Sequence, residues 1–230
     1  MSTITPETPT KQGFLRSNIE VFLAVLLGLV SIATAYASFQ SSLYDGNQAQ
    51  AYTNGSNLST EAESLYLEGN QQYVQDAQLF DRLTDLRLDV ASPDPAVSAA
   101  AQGKYDVIYF QAVSDDFDKA IQWADAQNDA DPELYYSPLN NEDYQAALFG
   151  SYAEAKDLAV ATIAEGDLAN TLGDRLTLTT VLMAISLFLL GIAAVVREFR
   201  IQIILGIVAI TIFVIAAAIA FAVPALPLWT

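Results

Sequence analysis

Three long apolar runs dominate the pattern of hydrophobic and polar positions along the chain. The first occupies residues 18–39, and the other two occupy 176–196 and 201–223, separated only by the charged segment 197–200. A helix rises about 1.5 Å per residue, so about 20 apolar residues cross the ~30 Å hydrocarbon core of a bilayer. The pattern therefore predicts three transmembrane helices, and the short separation makes the last two a membrane hairpin.

Basic residues beside these runs predict how the chain crosses the membrane. Lys11 and Arg16 precede the first run, and Arg197 and Arg200 lie in the hairpin turn. Lysine and arginine concentrate on the cytoplasmic side of membrane proteins, so we expect both sites to be cytoplasmic. The polar segments are then a cytoplasmic tail at 1–17, an extracytoplasmic domain at 40–175, a cytoplasmic turn at 197–200 and an extracytoplasmic C-terminal tail at 224–230.

The first apolar run also has features of a cleavable signal peptide. Ala35-Tyr36-Ala37 matches the small-residue pattern of a cleavage site and follows a basic N-terminal region. The run of about 20 apolar residues is, however, longer than the 7–15 residues of a typical signal-peptide core. We therefore interpret it as an uncleaved signal anchor.

Small residues recur on one face of this first span. Gly28, Ser31, Ala35 and Ser38 follow one another at spacings of three or four residues, which places them on one side of a helix. Small residues let helices approach closely in lipid. We expect this face to pack on the membrane hairpin, with a partner protein as the alternative.

The polar segment after the first span keeps helical spacing of its apolar residues. We predict one helix that leaves the membrane and ends near Val90, with Gly46 and Gly55 as the points where it could bend. The sequence Ser92-Pro93-Asp94-Pro95 stops it, because proline cannot continue a helix.

A second helix is predicted from Pro95 to about Asn128, with a potential break at Gly103. After a loop, Asn141 followed by two acidic residues is typical of a helix start, because its side chain can cap the first turn. We expect this third helix to continue into the second span. The sequence thus predicts an all-α membrane protein, with three transmembrane helices and an extracytoplasmic antiparallel bundle of three or four helices continuous with spans 1 and 2.

Charge and composition exclude several functions. Residues 40–175 carry 24 carboxylates against 6 basic side chains, a net charge of −18, which argues against nucleic acid as a partner. The chain has no cysteine and no histidine. Thiol catalysis, disulfides, iron–sulfur clusters and histidine-based metal or acid–base sites are therefore excluded, and we expect no cofactor. Solubility in a salty exterior explains the acidity, and a basic partner or bound cations are the alternative.

One acidic loop is a candidate metal site. Asp129, Asp131 and Glu133 place three carboxylates within five residues, and hard cations such as Ca²⁺ prefer oxygen ligands. The loop lacks the central glycine and the distal glutamate of an EF-hand. A solvated loop is the alternative, and we expect Asp115, Asp116 and Asp118 to form only the solvent-facing side of a helix.

Six tyrosines are concentrated in the distal part of the polar domain. We expect them to pack in the core and in interfaces, because tyrosine combines a large apolar ring with a polar tip. A ligand-binding groove is the alternative. The six are Tyr105, Tyr109, Tyr135, Tyr136, Tyr144 and Tyr152.

Two short segments carry a resemblance. They are QSSLYDGNQA at 40–49, after the first span, and GDRLTLTTVL at 173–182, which leads into an apolar run closed by VREFR at 196–200. Together with the order of spans, they resemble uncharacterised prokaryotic three-span membrane proteins with one N-terminal anchor, a helical exterior domain and a C-terminal hairpin. The resemblance implies a multi-pass protein of a prokaryotic plasma membrane, and it implies no activity.

Two functions fit these features best, and an enzyme in the extracytoplasmic domain comes third. The first is a non-enzymatic accessory or scaffold subunit of a larger membrane complex, with an integral membrane protein or a second copy of the chain as partner. The second is an extracytoplasmic sensor or binding protein for a small ligand or cation. A transporter is disfavoured because the centres of the spans carry no ionisable residue.

Overall fold

The computed structural model describes residues 14–227, with side chains described from Ile19 onward. No strand occurs in this part of the chain, which confirms the all-α class. Five α-helices and one 3-10 helix follow in the order α1 (Phe14–Val90), α2 (Pro95–Ala112), α3 (Asp115–Ala130), the 3-10 helix (Pro138–Asn140), α4 (Glu142–Val195) and α5 (Phe199–Phe221).

Three of these helices are long and apolar enough to cross a membrane. They are α1, α4 and α5, so the prediction of three candidate spans is confirmed. The 77 residues of α1 and the 54 residues of α4 also include long polar stretches. Neither helix is interrupted at Gly46, Gly55, Gly166 or Gly173, so these glycines do not end a helix.

The chain divides into two compact units. The first comprises the segments up to Tyr52 and from Ala164 onward, and the second comprises Thr53–Ile163. Each unit therefore receives one part of α1 and one part of α4.

In the first unit, α5 packs through small residues. Ser186 of α4 donates a hydrogen bond of 2.8 Å to the carbonyl oxygen of Ala209, and a Cβ added to Gly206 would lie 3.8 Å from Leu23 of α1. Small side chains bring the helix backbones close together, as membrane helices require. One row of buried or partly buried positions recurs every three or four residues along α5, at Gln202, Gly206, Ala209, Phe213, Ala216 and Ala220, and continues to Val223 after the helix.

The face of α1 that packs in the first unit differs from the predicted one. Leu23, Val30 and Ala37 are buried in its apolar core. The four predicted packing residues Gly28, Ser31, Ala35 and Ser38 are all exposed, and a Cβ added to Gly28 would meet nothing within 4 Å. In the first unit, α1 therefore packs through Leu23, Val30 and Ala37, which are spaced seven residues apart, and not through the small-residue face.

In the second unit, α1 buries one position every seventh residue. This spacing is typical of helices packed side by side. Two of the positions are glycines that touch α4 directly: a Cβ added to Gly69 would lie 2.5 Å from the carbonyl oxygen of Leu148, and one added to Gly55 would lie 2.5 Å from Ile163. The buried positions are Gly55, Ala62, Gly69, Asp76 and Leu83.

The apolar core of the second unit is centred on Phe117 in α3. Its ring lies 5.2 Å from that of Tyr144 in α4 and 6.4 Å from that of Phe80 in α1. Leu83 and Ile121 are buried in the same cluster. Aromatic rings at these separations stabilise a core beyond the area they bury, so α1, α3 and α4 share one core.

The second predicted helix is in fact two helices, and the break is not at Gly103. Val113 has extended dihedral angles, and the Ser114 hydroxyl accepts a hydrogen bond from the N–H of Phe117, which begins α3. A serine cap followed by acidic residues stabilises a helix N-terminus. Asp115, Asp116 and Asp118 therefore form the first turn of a new helix.

The predicted start of α4 is confirmed, and the hairpin turn shifts slightly. The Asn141 side-chain oxygen accepts the N–H of Tyr144 at 2.9 Å, as a capping residue does. At the hairpin, α4 ends at Val195 and α5 begins at Phe199. The turn is therefore 196–198 rather than 197–200, and Arg200 belongs to α5.

Candidate functional site

A polar contact joins α1 to the segment that follows α5. The Gln40 side chain donates from Nε2 to the carbonyl oxygen of Leu226 at 3.0 Å and accepts the N–H of Leu226 at 2.9 Å. Only 3% of Gln40 is exposed. A side-chain amide that pairs with both the N–H and the carbonyl oxygen of one residue leaves neither of them unsatisfied, so the segment after α5 is held against α1.

Two further α1 side chains extend this contact. The Tyr44 hydroxyl donates to the carbonyl oxygen of Pro224 at 2.7 Å. Ser41 donates to the carbonyl oxygen of Gly173 in α4 at 3.2 Å, and its hydroxyl lies 2.9 Å from that of Thr177. We call the Gln40, Ser41 and Tyr44 side chains the polar clamp. It ties α1 both to α4 and to the residues after α5.

Gly173 is the residue that lets α1 and α4 meet at the clamp. A Cβ added to it would lie 3.1 Å from Asp45 Oδ1 and 3.4 Å from the Cβ of Tyr44. The first of these distances is tighter than ordinary van der Waals contact, so a larger side chain would require the Asp45 side chain to move. The motifs 40–49 and 173–182 therefore face each other in the structure.

An apolar cleft of about 750 Å³ lies beside the clamp. Gln40 and the stretch from Val223 to Ala225 close one end of it, and most of the wall consists of small or aromatic apolar residues. This volume is within the range of small-molecule and cofactor sites. The wall includes Leu29, Ile32, Ala33, Tyr36, Ala37, Leu176, Met183, Phe213, Ala217, Ala220 and Phe221.

Tyr36 places a hydroxyl at the same end of the cleft as Gln40. The Gln40 Nε2 donates to that hydroxyl at 3.4 Å, and 51% of Tyr36 is exposed. Its own proton has no acceptor among the described residues. The cleft therefore combines apolar walls with one available hydrogen-bond donor.

The second unit contains a buried acidic group. Asp76 is 2% exposed, and its carboxylate accepts hydrogen bonds from Tyr144 at 2.8 Å and from Gln72 at 2.9 Å. A buried carboxylate is costly unless it is hydrogen-bonded, and both donors here are neutral. Burial, and then the bond to Asp76, raises the pKa of the Tyr144 hydroxyl.

A second cluster of polar side chains in this unit, centred on Arg87, joins the end of α1 to α2 and α3. Arg87 makes two hydrogen bonds of 2.9 Å to the Asp125 carboxylate and one of 3.2 Å to the Tyr105 hydroxyl. These bonds raise the pKa of the guanidinium further above its ordinary value, against the opposing effect of burial. Because both charged side chains are substantially exposed, we interpret the pair as orienting the helices more than stabilising them.

The predicted calcium-binding residues do not converge. Asp131 is the capping residue directly after α3, and its Oδ1 accepts the N–H of Glu133 at 3.2 Å. No group of three or more acidic side chains within residues 14–227 is arranged to hold a metal ion. The loop is shaped instead by Asn128, whose amide accepts the N–H of Tyr136 at 2.8 Å and donates to its carbonyl oxygen at 3.0 Å.

Four basic residues are predicted to set the orientation of the chain in the membrane, and the structure describes the side chains of only the two at the hairpin. Arg197 and Arg200 are exposed at the 196–198 turn and the start of α5. Lys11 lies outside the described residues, and the side chain of Arg16 does as well. Whether the four basic residues share one side of a membrane stays a prediction.

Sequence reasoning missed the residues that make these sites. Gln40 and Tyr44 lie in a motif noted only for its resemblance, although a glutamine at the end of an apolar span is itself a signal of a buried polar contact. Asp76 could have been found from its seven-residue spacing from Gly69 and Leu83. Five of the six distal tyrosines make the predicted packing or ring contacts: Tyr105, Tyr109, Tyr136, Tyr144 and Tyr152.

These groups can hold helices together and accept an apolar molecule. Within the described residues, the three polar groups consist of hydroxyl, amide, carboxylate and guanidinium groups paired with one another or with backbone. Comparison of the chain with protein-family models, with curated proteins and with solved structures finds no match. The function must therefore be argued from the structure itself.

Proposed function

We propose that this chain is a non-enzymatic accessory or scaffold subunit of a larger membrane complex. The observation that carries the proposal is the uncovered small-residue face of α1. Gly28, Ser31, Ala35 and Ser38 are exposed, whereas α1 packs on the hairpin through Leu23, Val30 and Ala37. A row of small residues allows another helix to approach closely in lipid, so this face suits a partner span.

The second unit supports the same proposal. Phe110 is 89% exposed and Val107, one turn earlier on α2, is 54% exposed. Single exposed apolar residues are ordinary, but neighbouring ones on a water-facing helix are typical of protein contact sites. The partner is an integral membrane protein or a second copy of the chain.

The proposed topology follows from the basic residues. The N-terminus and the hairpin turn are cytoplasmic, and the second unit and the C-terminus are extracytoplasmic, in the plasma membrane of a prokaryote. The exposure of Arg197 and Arg200 at the turn supports it, because these side chains are free to contact anionic headgroups.

The proposal is tested by copurification from native membranes. The full chain is extracted with a membrane-solubilising copolymer, and the associated proteins are identified by mass spectrometry. Ala35→Phe places a large ring on the small-residue face and should abolish the association. Val214→Phe adds a ring at an exposed position of α5, on a different helix, and should leave it intact.

The outcome also separates the candidate functions. A wild-type chain that emerges as a monodisperse monomer with no associated protein would contradict the scaffold proposal. Loss of association in both variants would show that the small-residue face has no special role. If the monomer instead gains thermal stability from a small metabolite or from Ca²⁺, the sensor alternative is supported.

A further inference from the structure

The apolar cleft of the first unit is open at the outer apolar surface of the candidate spans. Leu29 and Ile32 on α1 are 55% and 70% exposed, and Phe221 on α5 is 91% exposed. These residues line the cleft and also belong to the outer apolar surface of the spans. In a bilayer that surface faces hydrocarbon, and an apolar cavity does not hold water stably. The occupant of the cleft must itself be apolar.

The length of the cleft matches one lipid leaflet. Its wall on α1 extends from Leu29 to Gln40, a rise of about 16 Å at 1.5 Å per residue. Half of the ~30 Å hydrocarbon core is about 15 Å. A partner helix that crosses the membrane would need a groove along the whole span, whereas an acyl chain from one leaflet needs only this half.

The polar end of the cleft coincides with the end of the first apolar run at Phe39, where a lipid in a bilayer would change from chain to headgroup. Tyr36 offers a hydroxyl proton that has no acceptor among the described residues, and Gln40 closes the end of the cleft. Ester and phosphate oxygens of a lipid are hydrogen-bond acceptors. No charged side chain lines the cleft, so recognition does not depend on the charge of the headgroup.

We propose that this cleft binds one acyl chain of a membrane phospholipid, with the ester region of the lipid at Tyr36. The small side chains Ala33, Ala37 and Ala217 provide the space for the chain, and the polar clamp keeps the segment after α5 in place as the end wall. The lipid thereby fills the gap between α1 and α5. The site is independent of the partner face described above.

Retention of lipid by the full chain tests this site. The protein is reconstituted in nanodiscs of palmitoyl-oleoyl phosphatidylethanolamine and phosphatidylglycerol, transferred to detergent and weighed by native mass spectrometry. We expect wild type to retain one phospholipid of either headgroup. Ala217→Phe fills the cleft and should lower the retained fraction about tenfold, as expected for lost contact with about two methylene groups.

The neighbouring alanine provides the matched control. Ala218 is exposed and does not line the cleft, so Ala218→Phe should retain lipid as wild type does. If Ala217→Phe does not fold, Ala217→Leu makes a smaller version of the same change. Tyr36→Phe should weaken retention without abolishing it.

Three results would overturn the proposal. The first is that wild type retains no lipid. The second is that Ala217→Phe and Ala218→Phe retain equal amounts of lipid. Alternatively, Ala217→Phe could abolish a dimer or a copurifying protein while lipid retention stays unchanged, which would make the cleft a protein contact site.

Discussion

Tyr144 illustrates how single residues hold the second unit together. Its ring packs on Phe117, and its hydroxyl donates to the buried carboxylate of Asp76. Tyr144→Phe keeps the ring and removes one of the two bonds to Asp76. We expect a loss of about 1–3 kcal/mol in the free energy of unfolding, the cost of a buried polar group left short of a partner. Chemical unfolding of the full chain in detergent, followed by circular dichroism, measures it.

The matched control is Tyr135→Phe. Tyr135 is 75% exposed, so the loss of its hydroxyl should leave the unfolding free energy within experimental scatter. Equal effects of the two substitutions would contradict a structural role for the bond to Asp76.

The same variant tests the pH dependence of stability. Burial, and then the bond to Asp76, raises the pKa of Tyr144, and burial followed by the bond to Asp118 raises that of Tyr109. The folded state thus holds these protons more tightly than the unfolded state. Their contribution is complete below the ordinary tyrosine pKa of about 10 and is lost as pH rises above it. Tyr144→Phe should make the decline above pH 10 shallower, and a decline as steep as that of wild type would contradict this.

At the scale of helices, glycines that look alike in the sequence have opposite roles. A Cβ on Gly69 would lie 2.5 Å from the Leu148 carbonyl oxygen, whereas one on Gly103 would meet nothing within 4 Å. We expect Gly69→Ala to destabilise the chain by about 1–3 kcal/mol, because backbone must move. Gly103→Ala should stabilise it by about 0.5–1 kcal/mol through helix propensity.

The two variants are each other's control in chemical unfolding. Both replace a glycine inside a helix of the second unit with alanine, so their intrinsic helix propensities change equally. Stabilisation by both substitutions would show that α1 and α4 are not in close contact at Gly69.

The boundaries of the helices were predictable only where a local signal marks them. The proline-rich segment after Val90 and the Asn141 cap both act within one turn, and both predictions are confirmed. The break at Ser114 has a local signal as well, a serine followed by acidic residues. Glycine is the poorer helix former, so the sequence favours a break at Gly103, but the Ser114 cap and the extended Val113 decide where α2 ends.

At the scale of the whole molecule, the proposed topology can be tested because the chain contains no cysteine. Single cysteines at Ala130 and Glu198 lie at exposed helix ends, one in the second unit and one at the hairpin turn. A membrane-impermeant maleimide added to intact cells should label Ala130→Cys and leave Glu198→Cys unlabelled.

Permeabilised cells provide the control, because both cysteines should then react. Labelling of Glu198→Cys alone in intact cells would reverse the topology. Labelling of both would show that the hairpin does not cross the membrane.

The sequence alone determined the all-α class, the three apolar candidate spans and the continuation of α1 and α4 as helices beyond their apolar segments. These properties follow from hydropathy and helix propensity, which depend on residues close together in the chain. Only the tertiary structure decided which faces are buried: the hairpin packs on Leu23, Val30 and Ala37 and leaves the small-residue face open. Gln40 meets Leu226 across 186 positions, and Asp76 meets Tyr144 across 68. A local pattern can mark Gln40 or Asp76 as buried, but it does not identify the partner, because the partner depends on how side chains of distant segments fit together in space.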